Sequence, residues 1–164
     1  MSVLPRVSVI TPSFQQARYL EQTMLSVLEQ GYPNLEYLVV DGGSTDGSVD
    51  IIQQYAGRLA WWVSEPDRGQ AEAINKGFAR ASGEIIAWLN SDDLYLPGAI
   101  AAAVQALQQD PSLALVFADV LSIDADGVHF NTMRFANWTL DDLLCLNIIR
   151  QPGVFMRRSA LEQA

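Results

Sequence analysis

"GEIIAWLNSDDLYLPGAIAAAVQALQQD", residues 83–110, decides the fold of this chain. Its first half carries an apolar run from Ile85 to Leu89, in the β-branched and aromatic residue types that suit a strand. Its second half repeats small and branched apolar residues at helical spacing behind Pro97, a residue suited to a helix's first turn. Between the two stand Asn90, Ser91 and the adjacent acids Asp92 and Asp93. Side-by-side carboxylates repel, and at the end of a buried strand water screens them poorly. The turn therefore calls for something positive.

The same strand, turn and helix recur on either side. Upstream, "RVSVITP" reads as a strand, and Gln16 to Gln30 as a helix with apolar residues at Leu20, Met24, Val27 and Leu28, ended by Gly31 and Pro33. "LEYLVVD" is a second strand, followed by the helix "DGSVDIIQQYA" with Asp46 as its predicted N-cap. "LAWWVSE" reads as a third strand, although Trp61 and Trp62 also fit a loop lining a cleft; a helix around "AEAINKGFARA" leads into residues 83–110. "LALVFADV" follows as a fifth strand. Strands alternating with helices through near-continuous apolar runs predict an α/β sandwich, a mainly parallel sheet covered by helices on both faces. Such sheets bind ligands beyond the carboxyl ends of their strands, where "NSDD" and "VVDGGSTDG" both fall.

After residue 120 the pattern changes. "LSIDADGVHF" is read as a hairpin turning at Asp126 and Gly127, "TLDDLLCL" as a short helix capped by Thr139, and "PGVFMRR" as a further strand. "SALEQA" opens a helix too short to hold itself together, which sets the expectation that the chain is part of a longer protein. With 164 residues, 49% of them hydrophobic, the chain is expected to form one domain spanning 1–164.

Charge and composition exclude several classes. A net charge of -9 repels a phosphate backbone, so no nucleic-acid partner is expected. Cys145 is the sole cysteine, which removes internal disulfides and CxxC chemistry, and its setting "DDLLCLNII" reads as buried and inert. No apolar run approaches the roughly 18 residues of a membrane span and "MSVLPRVSVI" lacks signal-peptide anatomy; a cytoplasmic location is expected. His129 reads as solvated on a hairpin arm, and Asp141 and Asp142 as structural at a helix start. Asp119, at a strand end, is a candidate for the rim.

Four stretches carry candidate chemistry, each with a plain reading beside the functional one. "TPSFQQ" is either ordinary turn chemistry or a wall for a flat heterocycle, built from Phe14 and the exposed backbone of Thr11, Pro12 and Ser13. In "DGGSTDGS" the paired glycines, Gly42 first, allow close backbone approach, and Asp41 would present a carboxylate to a base edge or a ribose. No GxGxxG follows the first strand, which counts against a dinucleotide fold. In "SEPDRGQAEAINKG", Arg68 offers a planar fork to phosphate oxygens or pairs on the surface with Asp67 or Glu72. "NSDD" is either a helix cap or a site for hard-cation chemistry, in which one or two carboxylates hold Mg²⁺ or Mn²⁺ and substrate phosphates complete the shell.

In order, "VSVITPSFQQ", "YLVVDGGSTDGS", "EPDRGQAEAINKG" and "IIAWLNSDDLYLPGA" resemble the nucleotide-sugar domain of family 2 glycosyltransferases, a GT-A fold, in the versions found in bacterial enzymes that build surface polysaccharides. The resemblance covers residues 5–125 as a nucleotide-sugar-binding core and makes 126–164 the start of an acceptor-side region. It implies that Pro12, Phe14 and Asp41 contact the nucleotide base and that Arg68 lies near the uracil or diphosphate. Thr11, Ser13, Gly42 and Asn90 join the same binding set. Asp92 and Asp93 match the acidic, DXD-like motif, with Asp92 facing the ribose and Asp93 the metal. The family commonly has Tyr-Asn where Phe14 and Gln15 stand, and Asp in many relatives where Gly42 and Asn90 stand.

The implied reaction is metal-dependent, inverting transfer from a nucleotide-diphospho-sugar, a UDP-sugar first, to a glycan or lipid-linked acceptor, with Mn²⁺ or Mg²⁺ as cofactor. Asp92 and Asp93 are its catalytic candidates; the family's general base comes from an acidic motif expected downstream of this chain, so the chain is expected to bind donor but transfer poorly. The full protein is expected to associate peripherally with membrane. The competing readings are a binding-only nucleotide-sugar module, a receiver-type phosphotransfer domain and a nucleotidyltransferase. The receiver reading wants a lysine at a late strand end, and Lys76 lies inside a predicted helix.

Overall fold

The computed structural model describes residues 4–135 and 149–163; Thr139, Asp141, Asp142 and Cys145 lie outside them. Strands β1 (Val7–Ser13), β2 (Leu35–Asp41), β3 (Trp61–Ser64) and β4 (Ile85–Trp88) alternate with helices α1 (Ala17–Leu28), α2 (Ser48–Tyr55) and α3 (Gln70–Arg80). Helix α4 (Ala99–Gln109) leads to β5 (Leu115–Val116), a hairpin of β6 (Val120–Ile123) and β7 (His129–Met133), then β8 (Phe155–Arg157) and a last helical turn, Arg158–Leu161. Six strands form one sheet in the order β3-β2-β1-β4-β8-β5, with β6 and β7 as a separate ribbon.

The pairs β2–β3, β1–β2 and β1–β4 are all parallel. The chain runs outward from β1 through β2 to β3 and then returns to β4 on the far side of β1. Where strand order reverses, the connections leave in opposite directions and open a crevice beyond the carboxyl ends. That switch point lies between β1 and β4.

Period-2 alternation along the strands sends side chains to two separate cores. Val7, Val9, Tyr37, Val39, Ile85 and Ala87 face one way, against Leu20, Met24 and Val27 of α1, Ile52 of α2 and Ile100, Val104 and Leu107 of α4. Ile10, Leu38, Val40 and Ile86 face the other, against Ala73 of α3 and the rings of Trp61, Phe78 and Trp88. Gly77 lets α3 lie directly on β1, since a Cβ there would meet Ile10 Cγ2 at 2.5 Å. Trp61 and Trp62 therefore belong to a strand and not to a cleft-lining loop.

Three local expectations change. The predicted strand "LALVFADV" breaks up: β8 inserts antiparallel between β4 and β5, only Leu115 and Val116 join the main sheet, and Val120 opens the separate ribbon. Side chains hold that insertion: Arg157 donates from Nε to Leu113 O at 2.8 Å, and Arg158 donates to Gly83 O at 2.8 Å and Ala81 O at 2.6 Å. Pro97 stands before α4, with Gly98 at the cap in left-handed backbone (φ 83). Gly47 (φ 100) likewise takes the cap of α2 in place of Asp46. That geometry frees the Asp46 carboxylate to accept from Ser48 N at 3.1 Å and, on its other oxygen, from Ala17 N at 2.9 Å in the first turn of α1. The Ser48 hydroxyl bond, ahead of the backbone bonds, holds the Asp46 carboxyl below the usual range.

Candidate active site

Beyond the carboxyl ends of β1, β2 and β4 lies a cleft of about 750 Å³. Pro12, Ser13, Phe14 and Gln16 come from the turn after β1, and Gly42 and Gly43 from the loop after β2. Pro66, Asp67, Gly69, Gln70 and Ala73 come from the loop after β3 and the start of α3, and Asn90, Ser91 and Asp92 from the turn after β4. Four consecutive strand-to-helix connections thus meet at one place, as the alternating pattern predicts.

The turn after β1 presents an aromatic face. Phe14 is 60% exposed at the cleft. Gln15 is the one residue other than glycine among those described with left-handed backbone, φ 55. Asn tolerates that conformation better than Gln, which accounts physically for the Asn that the resembling family has there. Gln15 is held by the loop after β2: its N–H donates to Ser44 Oγ at 2.8 Å and its carboxamide exchanges bonds with Thr45. Ser13 is buried at the cleft and its Oγ has no hydrogen-bond partner among the described residues. Buried polar atoms normally find one, so a ligand donor or acceptor is the natural complement. Thr11 is fully buried and shares a 2.9 Å hydrogen bond with Tyr37 Oη, away from the cleft.

Asp41 departs from its expected place. It is fully buried, and its carboxylate accepts from Gly43 N (3.0 Å), Ser44 N (2.8 Å), Ser44 Oγ (2.5 Å) and Ser64 Oγ (2.7 Å). Those four bonds shape the glycine loop instead of presenting an acid at the rim. Gly42 and Gly43 are the residues of that loop that face the cleft; a Cβ on Gly42 would stand 3.0 Å from Asp67 Oδ2 and 3.2 Å from Phe14 Cδ2.

Arg68 also lies off the cleft wall. Its side chain is 92% exposed and its Nε sits 2.7 Å from Glu72 Oε2, the surface pair that i,i+4 spacing allows. Lys76 is drawn to Glu65 at 2.9 Å. The residues of this stretch that do line the cleft, Asp67 and Gln70, are ones the sequence reading passed over. Asp67 accepts from Gly69 N at 2.8 Å, fixing the loop, and Gln70 donates to Asn90 Oδ1 at 2.8 Å. The latter bond joins the α3 wall to the "NSDD" turn.

The two adjacent acids differ in environment. Asp92 is exposed, lines the cleft and makes no hydrogen bond among the described residues. Asp93 is half-buried and takes a 3.2 Å bond from Asn90 Nδ2. Burial first, then the Asp92 charge, pushes its carboxyl up to about 6 against the smaller opposing effect of that amide bond. Side chains of α1 and the turn after it clip the loop in place: Thr23 Oγ1 donates to Asp93 O at 2.9 Å, Ser26 Oγ accepts from Tyr95 N at 3.1 Å, and Gln30 donates to Leu96 O at 3.0 Å. Asp119 is exposed and accepts from Phe135 N at 2.9 Å, bracing the hairpin.

No group of three or more His, Cys, Asp or Glu with metal-binding geometry occurs among the described residues. One free carboxylate at the cleft, with a second behind it, still fits the oxygen donor set of a hard cation that completes its shell with substrate phosphates. No helix among the described residues is long and apolar enough to cross a membrane.

The chain belongs to glycosyl transferase family 2, whose family model matches residues 8–161. TuaG of Bacillus subtilis, named as a teichuronic acid biosynthesis glycosyltransferase, is 37% identical over 150 residues, 88% of this chain and 59% of that protein. The O-antigen biosynthesis protein RfbC of Myxococcus xanthus is 29% identical over 99% of this chain and 13% of its own length. A mannosyltransferase of Pyrobaculum calidifontis, solved in complex with GDP-Man and Mn²⁺, matches 99% of this chain and 47% of its own at a TM-score of 0.75 and 28% identity. S. aureus TarS shares the fold, with a TM-score of 0.74 at 22% identity. The architecture is accordingly the GT-A αβα sandwich. The chain spans 59% of TuaG and 42% of an uncharacterized Mycobacterium tuberculosis glycosyltransferase that is 42% identical over 109 residues.

Proposed function

We propose that the cleft binds a nucleotide-diphospho-sugar and that the protein transfers its sugar to a glycan or lipid-linked acceptor in surface-polysaccharide synthesis, with inversion at the anomeric carbon. The observation that carries this reading is the junction at the switch point: an exposed aromatic, Phe14, and an unpaired carboxylate, Asp92, on one cleft in a family 2 chain. Phe14 provides a flat apolar face for the base, and the unpartnered Ser13 hydroxyl and Asp67 supply polar recognition around it. The mannosyltransferase with GDP-Man and Mn²⁺ supports a donor of this class and a divalent cation; TuaG and RfbC support the polysaccharide setting.

Asp92 would hold the cation at the cleft, with Asp93 behind it. A divalent ion bound there supplies Lewis acidity toward the departing diphosphate. Within the chain, Asn90 orients Asp93 through its amide and is itself fixed by Gln70. Arg68 reaches a diphosphate only by leaving Glu72; with its side chain in solvent this rearrangement costs little.

Calorimetry with GDP-mannose and UDP-N-acetylglucosamine, each with Mn²⁺, tests the assignment. One of the two should bind, and Asp92→Asn should lose most of the cation-dependent part. Binding unaffected by both Mn²⁺ and Asp92→Asn would remove the metal role, and no binding by either sugar nucleotide would remove the donor reading.

A further inference from the structure

The β6–β7 ribbon stands apart from the body of the chain. It pairs with no strand of the main sheet, and a two-stranded hairpin is marginally stable in water until a third strand or a packed face secures it. Its root is tied by Asp119, which accepts from Phe135 N at 2.9 Å, and by the Phe117–Phe135 ring contact at 5.9 Å. Its tip reaches α1 through Arg18, whose Nη2 lies 3.3 Å from Ala125 O and 3.4 Å from Asp126 Oδ1, beside a second cavity of about 460 Å³ that Asp92 also lines.

The two faces of the ribbon differ. Val120 and Met133, directly opposite each other, are partly buried. Leu121 and Ile123 alternate with Val120 and Ser122 and so lie on the other face. Opposite Ile123 the ladder slips: Ser122 pairs with Asn131 and Ile123 with His129, which makes Phe130 an extra residue of β7. Leu121, Ile123, Phe130 and, in the turn, Val128 are all between 39% and 69% exposed. Together they leave on the order of 300–400 Å² of apolar surface in water, a size of patch that often serves a contact.

The charges around the patch select its occupant. Asp124 and Asp126 stand at the tip and would repel an anionic lipid surface. The ribbon's one Lys or Arg is Arg134, exposed at the root next to Asp119, whose carboxylate is taken by Phe135 N. A second copy laid antiparallel brings each acidic tip toward the other's Arg134 and buries the two apolar faces against each other. Tip over tip would instead gather four carboxylates. The antiparallel arrangement is a closed two-fold, the form in which identical surfaces pair. Both faces with their polar margins amount to roughly 1,000 Å², the low end for a specific interface, so the association is reversible.

We propose that the exposed face of the β6–β7 ribbon is a self-association surface through which two copies of this chain pack antiparallel, anchored by Phe130. The inference goes beyond the donor reading and does not depend on it.

Sedimentation velocity on the full chain from about 1 to 200 μM tests it, a range that brackets the micromolar affinity an interface of this size supports. The wild type should pass from monomer to dimer. Phe130→Glu and, separately, Val128→Lys, both at exposed positions, should weaken association by roughly tenfold or more with the thermal transition unchanged. Arg134→Glu should weaken it several-fold, and adding Asp126→Lys to Arg134→Glu should restore most of the loss. A monomer at every concentration, or a dimer that neither Phe130→Glu nor Val128→Lys weakens, overturns the inference. Loss of folding in both variants would show the chain itself covering this face and overturns it as well. A monomeric wild type that binds phosphatidylcholine vesicles, with Phe130→Glu abolishing the binding, would give the face to a lipid surface instead. A dimer weakened by Phe130→Glu but indifferent to Arg134→Glu overturns the antiparallel alignment.

Discussion

The ends of β2 and β4 look alike as sequence: a buried apolar strand that runs into acids and small polar residues, "LVVDGGS" against "AWLNSDD". In three dimensions they are opposites. Asp41 at the end of β2 is fully buried and accepts four hydrogen bonds, three from its own loop and one from Ser64 of the neighbouring strand. Asp92 at the end of β4 is exposed, unpaired among the described residues, and shared by two cavities. The difference lies in who supplies the donors. A glycine loop turns its own N–H groups back on Asp41. The turn after β4 is held from behind by Thr23 and Ser26 of α1 and by Gln30 just past it, which leaves its front carboxylate unpaired among the described residues.

Replacing Asp41 tests this contrast most severely. Asp41→Ala leaves several part-buried donors without their acceptor at once, and hydrogen bonds to a charged group contribute about 1.5–3 kcal/mol each. A loss of at least about 3 kcal/mol in urea denaturation is expected. If stability holds while nucleotide binding disappears, Asp41 is a ligand-facing acid after all and the contrast fails.

Asp92→Asn should do the reverse. Removing an exposed, unpaired charge leaves stability within about 0.5 kcal/mol. Nucleotide-sugar affinity in Mn²⁺ should fall by roughly tenfold or more, about 1.4 kcal/mol, read by calorimetry. A variant as destabilised as Asp41→Ala would mean that Asp92 has a structural partner.

Gln70→Ala probes the link between the α3 wall and the turn. Losing one neutral hydrogen bond to Asn90 costs about 1 kcal/mol, and a weakening of nucleotide affinity by roughly fivefold is expected. The thermal midpoint should move little, because the bond is exposed. No change in affinity would show that Asn90 holds its orientation without Gln70.

Most of the sheet was legible because it is built from local signals. Each of β1 to β4 carries its own apolar run, and the helices between them their own periodicity, so element type and the rim position of four loops follow from sequence. What escaped was set by distant partners. Nothing within "LALVFADV" announces that Phe155–Arg157 will insert beside it and leave only Leu115 and Val116 in the main sheet. Nothing in "VVDGGS" announces that Asp41 turns inward, or in "PDRGQAE" that Glu72 takes Arg68 while Asp67 and Gln70 face the cleft. A strand's end tells which residues reach the rim. Which of them face outward depends on donors that only the folded chain brings together.

The smallest expected effect comes from a third acid, at the far end of the sheet. Glu36 near the start of β2 accepts from Ser82 N and Ser82 Oγ, both at 2.7 Å, and from the Ser8 hydroxyl. Burial alone would push its carboxyl up, but the Ser8 bond, the Ser82 bonds and the Arg6 charge outweigh it, and the group lies below its ordinary value. A carboxyl lowered in the folded state contributes stability that is present above its unfolded pKa, about 4.3, and fades as pH falls through the folded value. Denaturation midpoints of Glu36→Gln and wild type should therefore differ at pH 6 and converge as the pH drops below about 4. A difference between the two midpoints that persisted unchanged at pH 3 would show that the Ser8, Ser82 and Arg6 contacts do not hold the Glu36 carboxyl in the folded chain.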